Sequence, residues 1–211
     1  MASRWNKHDV MPMIVQCLMI VCILAAARPG PAASQEETVL LKRPGGTYIF
    51  YKKDFSQLGN SGALSGILAK DAFFVRKGKR IVFAAGHELC LHETGTPAYG
   101  YLAGNTELLV GGRRFLFGKH TRIDLGESGA VEAGGLAADR KIMVGGNLVP
   151  FKKGAGENDR ITFSAKGMIT GGVLEAPAAI LAGGKKYRFT GEIGFRSEER
   201  RVGKECRSRW S

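Results

Sequence analysis

One short segment concentrates residue types that bind metals or act as acids and bases. Residues 86–93 read GHELCLHE and hold two histidines, two glutamates and one cysteine. A zinc protease needs His-Glu-x-x-His on a helix, where histidines four positions apart reach one ion. His87 and His92 are five positions apart, which on a strand places them on opposite faces. Cys90 and His92 share a face, but two further ligands for a metal are missing nearby. We therefore predict an ordinary strand with its leucines directed inward, and neither a metal nor a cofactor site.

Other patterns of catalysis are not apparent. Paired glycines at 111–112, 145–146 and 183–184 resemble phosphate cradles, yet no Gly-x-x-x-x-Gly-Lys-Ser/Thr is present and no helix start follows them. The chain also lacks a Gly-x-Ser-x-Gly elbow, and no paired carboxylates or cysteine–histidine dyad stand out. We expect a protein that is not an enzyme.

Basic pairs recur directly after the glycine turns. If repeated units stack in register, these pairs form a ridge along one side, and a salt-sensitive field there would attract an anionic polymer. Polymers of this kind are lipopolysaccharide, teichoic acid and acidic polysaccharide. Lysine on an exposed strand also protects edges and keeps a protein soluble, which is the competing interpretation. The predicted ridge consists of Lys79, Arg80, Arg113, Arg114, Lys185 and Lys186.

These pairs belong to a tandem repeat. Four leucines mark it, at spacings of 34, 34 and 38 residues: Leu68, Leu102, Leu136 and Leu174. Each has a glycine two residues before it, a glycine ten residues after it and a phenylalanine fifteen residues after it. Such a period indicates stacked units that each cover a surface their neighbour cannot bury alone. The predicted units are about 55–83, 88–117, 122–151 and 160–189, with a partial unit at 39–50.

Each unit has the pattern of short β-strands. Apolar and polar residues alternate in several runs, and the glycine pairs suit tight reversals that need positive φ. Asn105 and Asp139, three residues past their leucines, predict a second turn, where Pro177 stands in the last unit. The four extra residues of the long spacing predict a surface loop at 152–159. We predict an all-β fold of tandem repeats, either an elongated solenoid or a repeated-hairpin sheet. A closed propeller-like ring is the alternative, although its blades are usually longer.

The two ends of the chain differ from the repeats. Residues 11–27 form an apolar run with basic residues before it, so 1–34 are expected to be a secretory signal peptide or an N-terminal anchor helix. Residues 196–211 resemble translated sequencing-adapter DNA, and we expect them to be an artefactual tail on a truncated chain. The region 35–195 holds 22 Lys or Arg against 15 Asp or Glu, a moderately basic balance that does not favour nucleic acid. Cys90 is its only cysteine, so no internal disulfide is expected.

The repeats resemble short β-repeats of exported bacterial proteins and, more distantly, the MORN family. The resemblance rests on Gly-x-Leu-Ala-x-Asn/Asp, which stands at 100–105 and 134–139. The chain lacks the regular tyrosine and tryptophan that precede glycine in MORN repeats, so no lipid role and no functional residue is transferred.

The function expected from these patterns is an exported scaffold, periplasmic, at the cell surface or secreted. Repeat stacks offer long regular surfaces for a protein or polymer partner. One alternative is binding of an envelope polymer or carbohydrate through the ridge and through Tyr99, Tyr101 and Tyr187. Another is an enzyme whose catalytic part is missing by truncation. No nucleic-acid partner is expected, and membrane contact is expected only through the N-terminal segment.

Overall fold

The computed structural model describes residues 36–43, 45–58, 62–76, 78–182 and 184–195. Within this part of the chain the regular elements are β-strands, apart from one 3-10 turn at Lys52–Asp54. No helix there is long and apolar enough to cross a membrane. The all-β prediction is confirmed for these residues. The predicted signal or anchor segment and the tail at 196–211 lie outside them.

Ten strands pair two by two into antiparallel hairpins that we call ribbons 1 to 5, in chain order. Each ribbon is a separate two-stranded sheet. The pairs are β1 (Thr38–Arg43) with β2 (Gly46–Tyr51), β5 (Ala72–Arg76) with β6 (Lys79–Phe83), β9 (Thr106–Val110) with β10 (Arg113–Phe117), β13 (Arg140–Val144) with β14 (Asn147–Phe151), and β17 (Ala178–Ala182) with β18 (Lys185–Phe189).

The other nine strands form one antiparallel sheet in which neighbours follow the order of the chain. In that order they are β3 (Ser56–Leu58), β4 (Ala63–Ile67), β7 (Glu88–Leu91), β8 (Pro97–Tyr101), β11 (Arg122–Leu125), β12 (Val131–Gly134), β15 (Ile161–Phe163), β16 (Ile169–Val173) and β19 (Glu192–Gly194). The chain thus alternates between a hairpin in this sheet and a ribbon outside it. Each predicted unit contains one sheet hairpin followed by one ribbon, and the partial unit at 39–50 falls within ribbon 1.

The ribbons cover one face of the sheet. Alternate residues of both layers, such as Phe115 and Phe117 of β10 and Ile123 and Leu125 of β11, are buried and belong to one hydrophobic cluster. This alternation follows from the two-residue period of a strand. Burial of these rows of apolar side chains between the layers is the main source of stability.

The phenylalanine, glycine and leucine of the repeat meet where a ribbon joins the sheet. Phe117, the last residue of β10, forms an isolated bridge with Leu136. Its ring lies against Gly134, where an added Cβ would be 2.6 Å from the phenylalanine Cδ1. The same contacts recur in the other units, at Phe50, Gly66 and Leu68, at Phe83, Gly100 and Leu102, and at Phe151, Gly172 and Leu174. The repeat therefore keeps glycine at this position because a phenyl ring occupies the space of its side chain.

An acidic or amide residue three positions past the first three repeat leucines closes the base of a ribbon. Asp139 Oδ1 accepts a hydrogen bond of 2.6 Å from the backbone N–H of Lys153, which lies on the far side of ribbon 4. Asn105 accepts in the same way from Lys119, at 2.8 Å. The turn predicted at Asn105 and Asp139 is thus a contact between residues fourteen positions apart. The predicted loop at 152–159 is confirmed, since no strand lies between β14 and β15.

Glycines with positive φ form the ribbon turns. Gly111 and Gly112 have φ of 55° and 77°, and Gly145 and Gly146 have φ of 54° and 81°. Two successive positive values match the twist of a two-residue hairpin turn. The prediction for these two glycine pairs is confirmed, whereas Gly183 lies outside the described residues.

Ribbons 2 and 3 cross the sheet diagonally. The base of ribbon 2 is joined to the end of β8 through Phe83 and Leu102. Its tip reaches the next sheet hairpin, because Gly129 in the turn between β11 and β12 lies against Arg76 at the end of β5. Ribbon 3 is offset in the same way, since Gly111 at its tip contacts Gly167 in the turn between β15 and β16. Each of these two ribbons therefore covers two successive sheet hairpins.

Candidate functional site

The predicted basic ridge lies on the ribbons, at the start of their second strands. Lys79 and Arg80 begin β6, Arg113 and Arg114 begin β10, and Lys185 and Lys186 begin β18, and all six are exposed. Strand alternation places the second member of each pair on the side of the ribbon that faces away from the sheet. The first member belongs to the opposite side, at the tip of the ribbon. Ribbon 4 has Asn147 and Leu148 in these places, so basic pairs stand on ribbons 2, 3 and 5.

Polar contacts hold neighbouring ribbons side by side. The Arg113 guanidinium in ribbon 3 donates a hydrogen bond of 2.7 Å to the Met143 carbonyl in ribbon 4. The Asn147 amide in ribbon 4 both donates to the Leu181 carbonyl and accepts from the Leu181 N–H, at 3.2 and 2.8 Å. The Asn147 side chain thus pairs with ribbon 5 as a strand residue would. Arg113 and Asn147 therefore hold neighbouring ribbons in place, so Arg113 of the predicted ridge has a structural role.

The outward side of the five ribbons forms a single surface, which we call the ribbon face. Strand alternation gives it six exposed basic residues: Lys42, Arg80, Arg114, Lys141, Lys186 and Arg188. Glu107 is the one carboxylate that the described ribbon strands direct to this side. It lies 3.3 Å from the Arg114 guanidinium and 4.0 Å from the Lys79 ammonium. The face as a whole is strongly positive.

Large apolar side chains stand among these charges, and sequence reasoning missed them. Phe73 on this face carries the Arg80 guanidinium 4.2 Å above its ring centre. Their signal in the sequence was unbroken runs of apolar residues, such as Phe115 to Phe117. A strand with one face in solvent would instead alternate apolar and polar residues. The exposed apolar residues of the ribbon face are Leu40, Phe73, Val75, Leu109, Leu116, Met143, Leu148 and Leu181.

The opposite face of the sheet carries a half-buried polar cluster. Asp124 is paired with Arg122 at 2.7 Å and also with Arg160. The Arg122 guanidinium lies over the ring of Tyr99, 3.9 Å from its centre. Burial, together with the carboxylate of Glu88, raises the pKa of the Tyr99 hydroxyl to about 12. Tyr99, Arg122 and Arg160 are more than twenty residues apart from one another in the sequence, and only Tyr99 among the cluster residues was predicted as part of a site.

Aromatic rings stack beside this cluster. Tyr101 donates a hydrogen bond of 2.6 Å to Glu157 of the 152–159 loop, and this bond raises the pKa of its hydroxyl. His87 stacks on Tyr101 with 5.0 Å between ring centres, and His120 follows at 5.4 Å from His87. His120 has φ of 56°, which is costly for a residue with a side chain.

Tyr187, the third predicted aromatic, is not part of this stack. It belongs to β18 of ribbon 5, where its side chain is exposed. The structure therefore brings Tyr99 and Tyr101 together on the sheet and places Tyr187 on the other layer.

The segment at 86–93 forms part of the sheet. Leu89 and Leu91 in β7 are completely buried, as predicted. His92 lies apart from His87, and its Nε2 is 2.9 Å from the Leu125 carbonyl oxygen. Burial raises the pKa of the Cys90 thiol, with Glu88 contributing. Among the described residues, no three His, Cys, Asp or Glu side chains are grouped as metal ligands.

No protein-family model matches this chain, and neither a curated protein nor a solved structure is significantly similar to it.

Proposed function

We propose that this protein is an exported interaction scaffold without a catalytic role, built as an open and elongated array of 34-residue β-repeats. Export is inferred from the apolar run at 11–27 and the basic residues before it. The sheet supports an open array because its outer strands, β3 and β19, each pair with one neighbour in the described chain. Such an array presents a long, regular surface to a partner.

The partner that we propose is an anionic polymer of the cell envelope, bound by the ribbon face. The observation that carries this proposal is the charge of that face, where the described ribbon strands place six basic side chains against the single carboxylate of Glu107. Clustered charge of one sign raises the local concentration of an oppositely charged ligand and speeds its association. Contacts such as those of Arg113 and Asn147 keep the charges in fixed relative positions, which favours a regular polymer.

Salt-dependent retention on immobilised dextran sulfate tests this proposal, with uncharged dextran as the reference matrix. The Arg80→Glu/Arg114→Glu variant should elute at clearly lower salt than the parent, because two charges of the face are reversed. Lys119→Glu is the matched control, since Lys119 is exposed in the turn after ribbon 3 and not on the ribbon face. Equal elution of the parent and the double variant would contradict the proposal, as would equal retention on both matrices.

A second candidate function, carbohydrate binding, is favoured by the stack of Tyr101, His87 and His120. Flat rings commonly contact the apolar faces of sugars. Glu157 offers a carboxylate beside Tyr101, and Arg122 lies over the neighbouring ring of Tyr99. The costly φ of His120 supports the idea, because the equivalent position one unit earlier is Gly86, with φ of 73°. Strain kept at an exposed position points to a role other than stability.

The substitution His120→Gly separates the two explanations of this strain. It should stabilise the fold by about 1 kcal/mol, because glycine adopts this φ without cost. If the stack binds glycans, the same variant should lose binding on a panel of neutral and acidic oligosaccharides. Unchanged binding to a glycan that the parent retains would remove His120 from the site. The absence of any glycan bound by the parent would remove the candidate function.

A further inference from the structure

The apolar residues of the ribbon face are concentrated to a degree that anion binding does not explain. Eight of the eleven large apolar side chains that are exposed in the described residues belong to this one face, and every ribbon contributes at least one. Leu109 is 63 % exposed and Leu148 is 56 % exposed. Contiguous exposed apolar surface marks a site of interaction with a protein or a membrane.

We propose that the ribbon face docks on an anionic phospholipid surface. Its arginines and lysines contact the headgroup phosphates, and its leucines, Met143 and Phe73 enter the apolar layer below them. The inference rests on the proposed function, which assigns anion binding to this face, and it adds a lipid surface as a ligand distinct from the polymer. It also extends membrane contact beyond the N-terminal segment.

The arrangement of the two kinds of side chain suits such a surface. Arg114 and Leu116 alternate along β10, and Lys141 and Met143 alternate along β13, both on the outward side. Long basic side chains keep their charges at the headgroup level while their stems lie beside inserted apolar groups. Arg80 over Phe73 already shows a cation resting on an exposed ring.

Charge complementarity also decides between a lipid surface and a second copy of the chain. Two ribbon faces brought together would place six cations against six, with only Glu107 on each side to compensate. Like charges facing one another oppose such a dimer. A layer of phosphates attracts the same charges, and each lysine or arginine near an anionic membrane strengthens binding about fivefold.

The test is flotation of the full chain with vesicles of phosphatidylcholine alone and of phosphatidylcholine with an equal share of phosphatidylglycerol. The parent should partition more strongly to the anionic vesicles, and high salt should reduce the difference. Replacing Leu109 and Leu148 by serine should weaken binding to anionic vesicles about tenfold, because two inserted side chains lose their apolar contact. Met168→Ser is the control, since Met168 is 50 % exposed but lies in the turn between β15 and β16.

The N-terminal apolar run is the same in every variant, so that differences between variants report the ribbon face. Hydrogen exchange of the ribbons and of the sheet, with and without anionic vesicles, locates the contact independently. Protection confined to the ribbons supports docking, and protection confined to the sheet overturns it.

The outcomes also separate this inference from the proposed function. If dextran sulfate is bound through Arg80 and Arg114 but the two leucine substitutions leave vesicle binding unchanged, the lipid inference fails and the polymer proposal stands. If the substituted variants bind dextran sulfate and anionic vesicles as strongly as the parent does, both the proposed function and the lipid inference fail. A dimer in light scattering that the leucine substitutions dissociate, without selective vesicle binding, would assign the face to a second copy and overturn the inference.

Discussion

The substitution Gly134→Ala tests the physical reason for the repeat. An alanine Cβ at this position would lie 2.6 Å from Cδ1 and 2.7 Å from Cε1 of Phe117. Carbon atoms in favourable contact are about 3.5–4.0 Å apart, so the ring has to move by roughly 1 Å. Phe117 is completely buried, and Phe163 packs edge-on against it. The ring cannot move without disturbing the core.

The expected cost follows from these contacts. Forcing an extra carbon into a packed core costs about 1–3 kcal/mol. Alanine also lowers the conformational entropy of the unfolded chain, which offsets about 0.4–1 kcal/mol of this cost. The net loss should be about 1–2 kcal/mol, and for a fold of this size each kcal/mol lowers the midpoint of thermal unfolding by about 2–4 °C. We therefore expect Gly134→Ala to lower the midpoint by about 2–8 °C.

Calorimetry and urea denaturation of matched variants check this value. Gly104→Ala is the control, because an added Cβ there meets no atom within 4 Å. It should leave the midpoint unchanged or raise it slightly. Phe117→Leu in the Gly134→Ala background should cost less than the sum of the two single changes, since a smaller side chain leaves room for the Cβ. If Gly134→Ala unfolds at the same temperature as Gly104→Ala, the explanation of the repeat by ring packing is wrong.

Three further predictions concern single side chains. The Tyr48 hydroxyl is buried without a hydrogen-bond partner, so Tyr48→Phe should raise the free energy of unfolding by about 1 kcal/mol in urea titrations. Burial raises the pKa of Tyr48 to about 12, so the unfolded chain loses the phenolic proton at lower pH than the folded chain does, and the parent should lose more stability between pH 10 and 12 than the variant. Asp139→Ala should lower the free energy of unfolding by about 0.5–1.5 kcal/mol, because the Lys153 N–H loses its acceptor. Asp139→Asn should lower it less, since Asn105 accepts the equivalent hydrogen bond in its own unit. Equal losses for the two variants would contradict this role of Asp139. Cys90 should react with a thiol reagent much more slowly in the folded protein than in urea, and equal rates would show that it is not buried.

The sequence predicted those features that depend on residues close together in the chain. Alternation in Ile123 to Leu125 and the glycine pair at 111–112 specify a strand and a turn through local backbone preferences, and both are present. The assignment of hairpins to two layers could not be predicted, because a ribbon strand and a sheet strand have similar length and composition. Their difference lies in what packs against them.

The polar cluster on the sheet was also beyond prediction from the sequence. Asp124 and Arg160 are 36 residues apart and meet because β11, β12 and β15 are neighbours in the sheet. His87 and His120 approach each other for a similar reason, in turns separated by one repeat. Such contacts depend on the register between units, which a single sequence does not reveal. The apolar side of the ribbons was different, since its residues were visible in the sequence as unbroken apolar runs.

The diagonal course of the ribbons has a mechanical consequence. Gly129 and Gly167 show that the tips of ribbons 2 and 3 rest on the sheet hairpin after the one to which their bases are joined, so each of these ribbons spans two hairpins. Separating the units that ribbons 2 and 3 bridge would also break a ribbon away from one of its two hairpins. Tension along the chain should therefore be shared between neighbouring repeats, and the array should resist pulling as one body until a whole ribbon detaches.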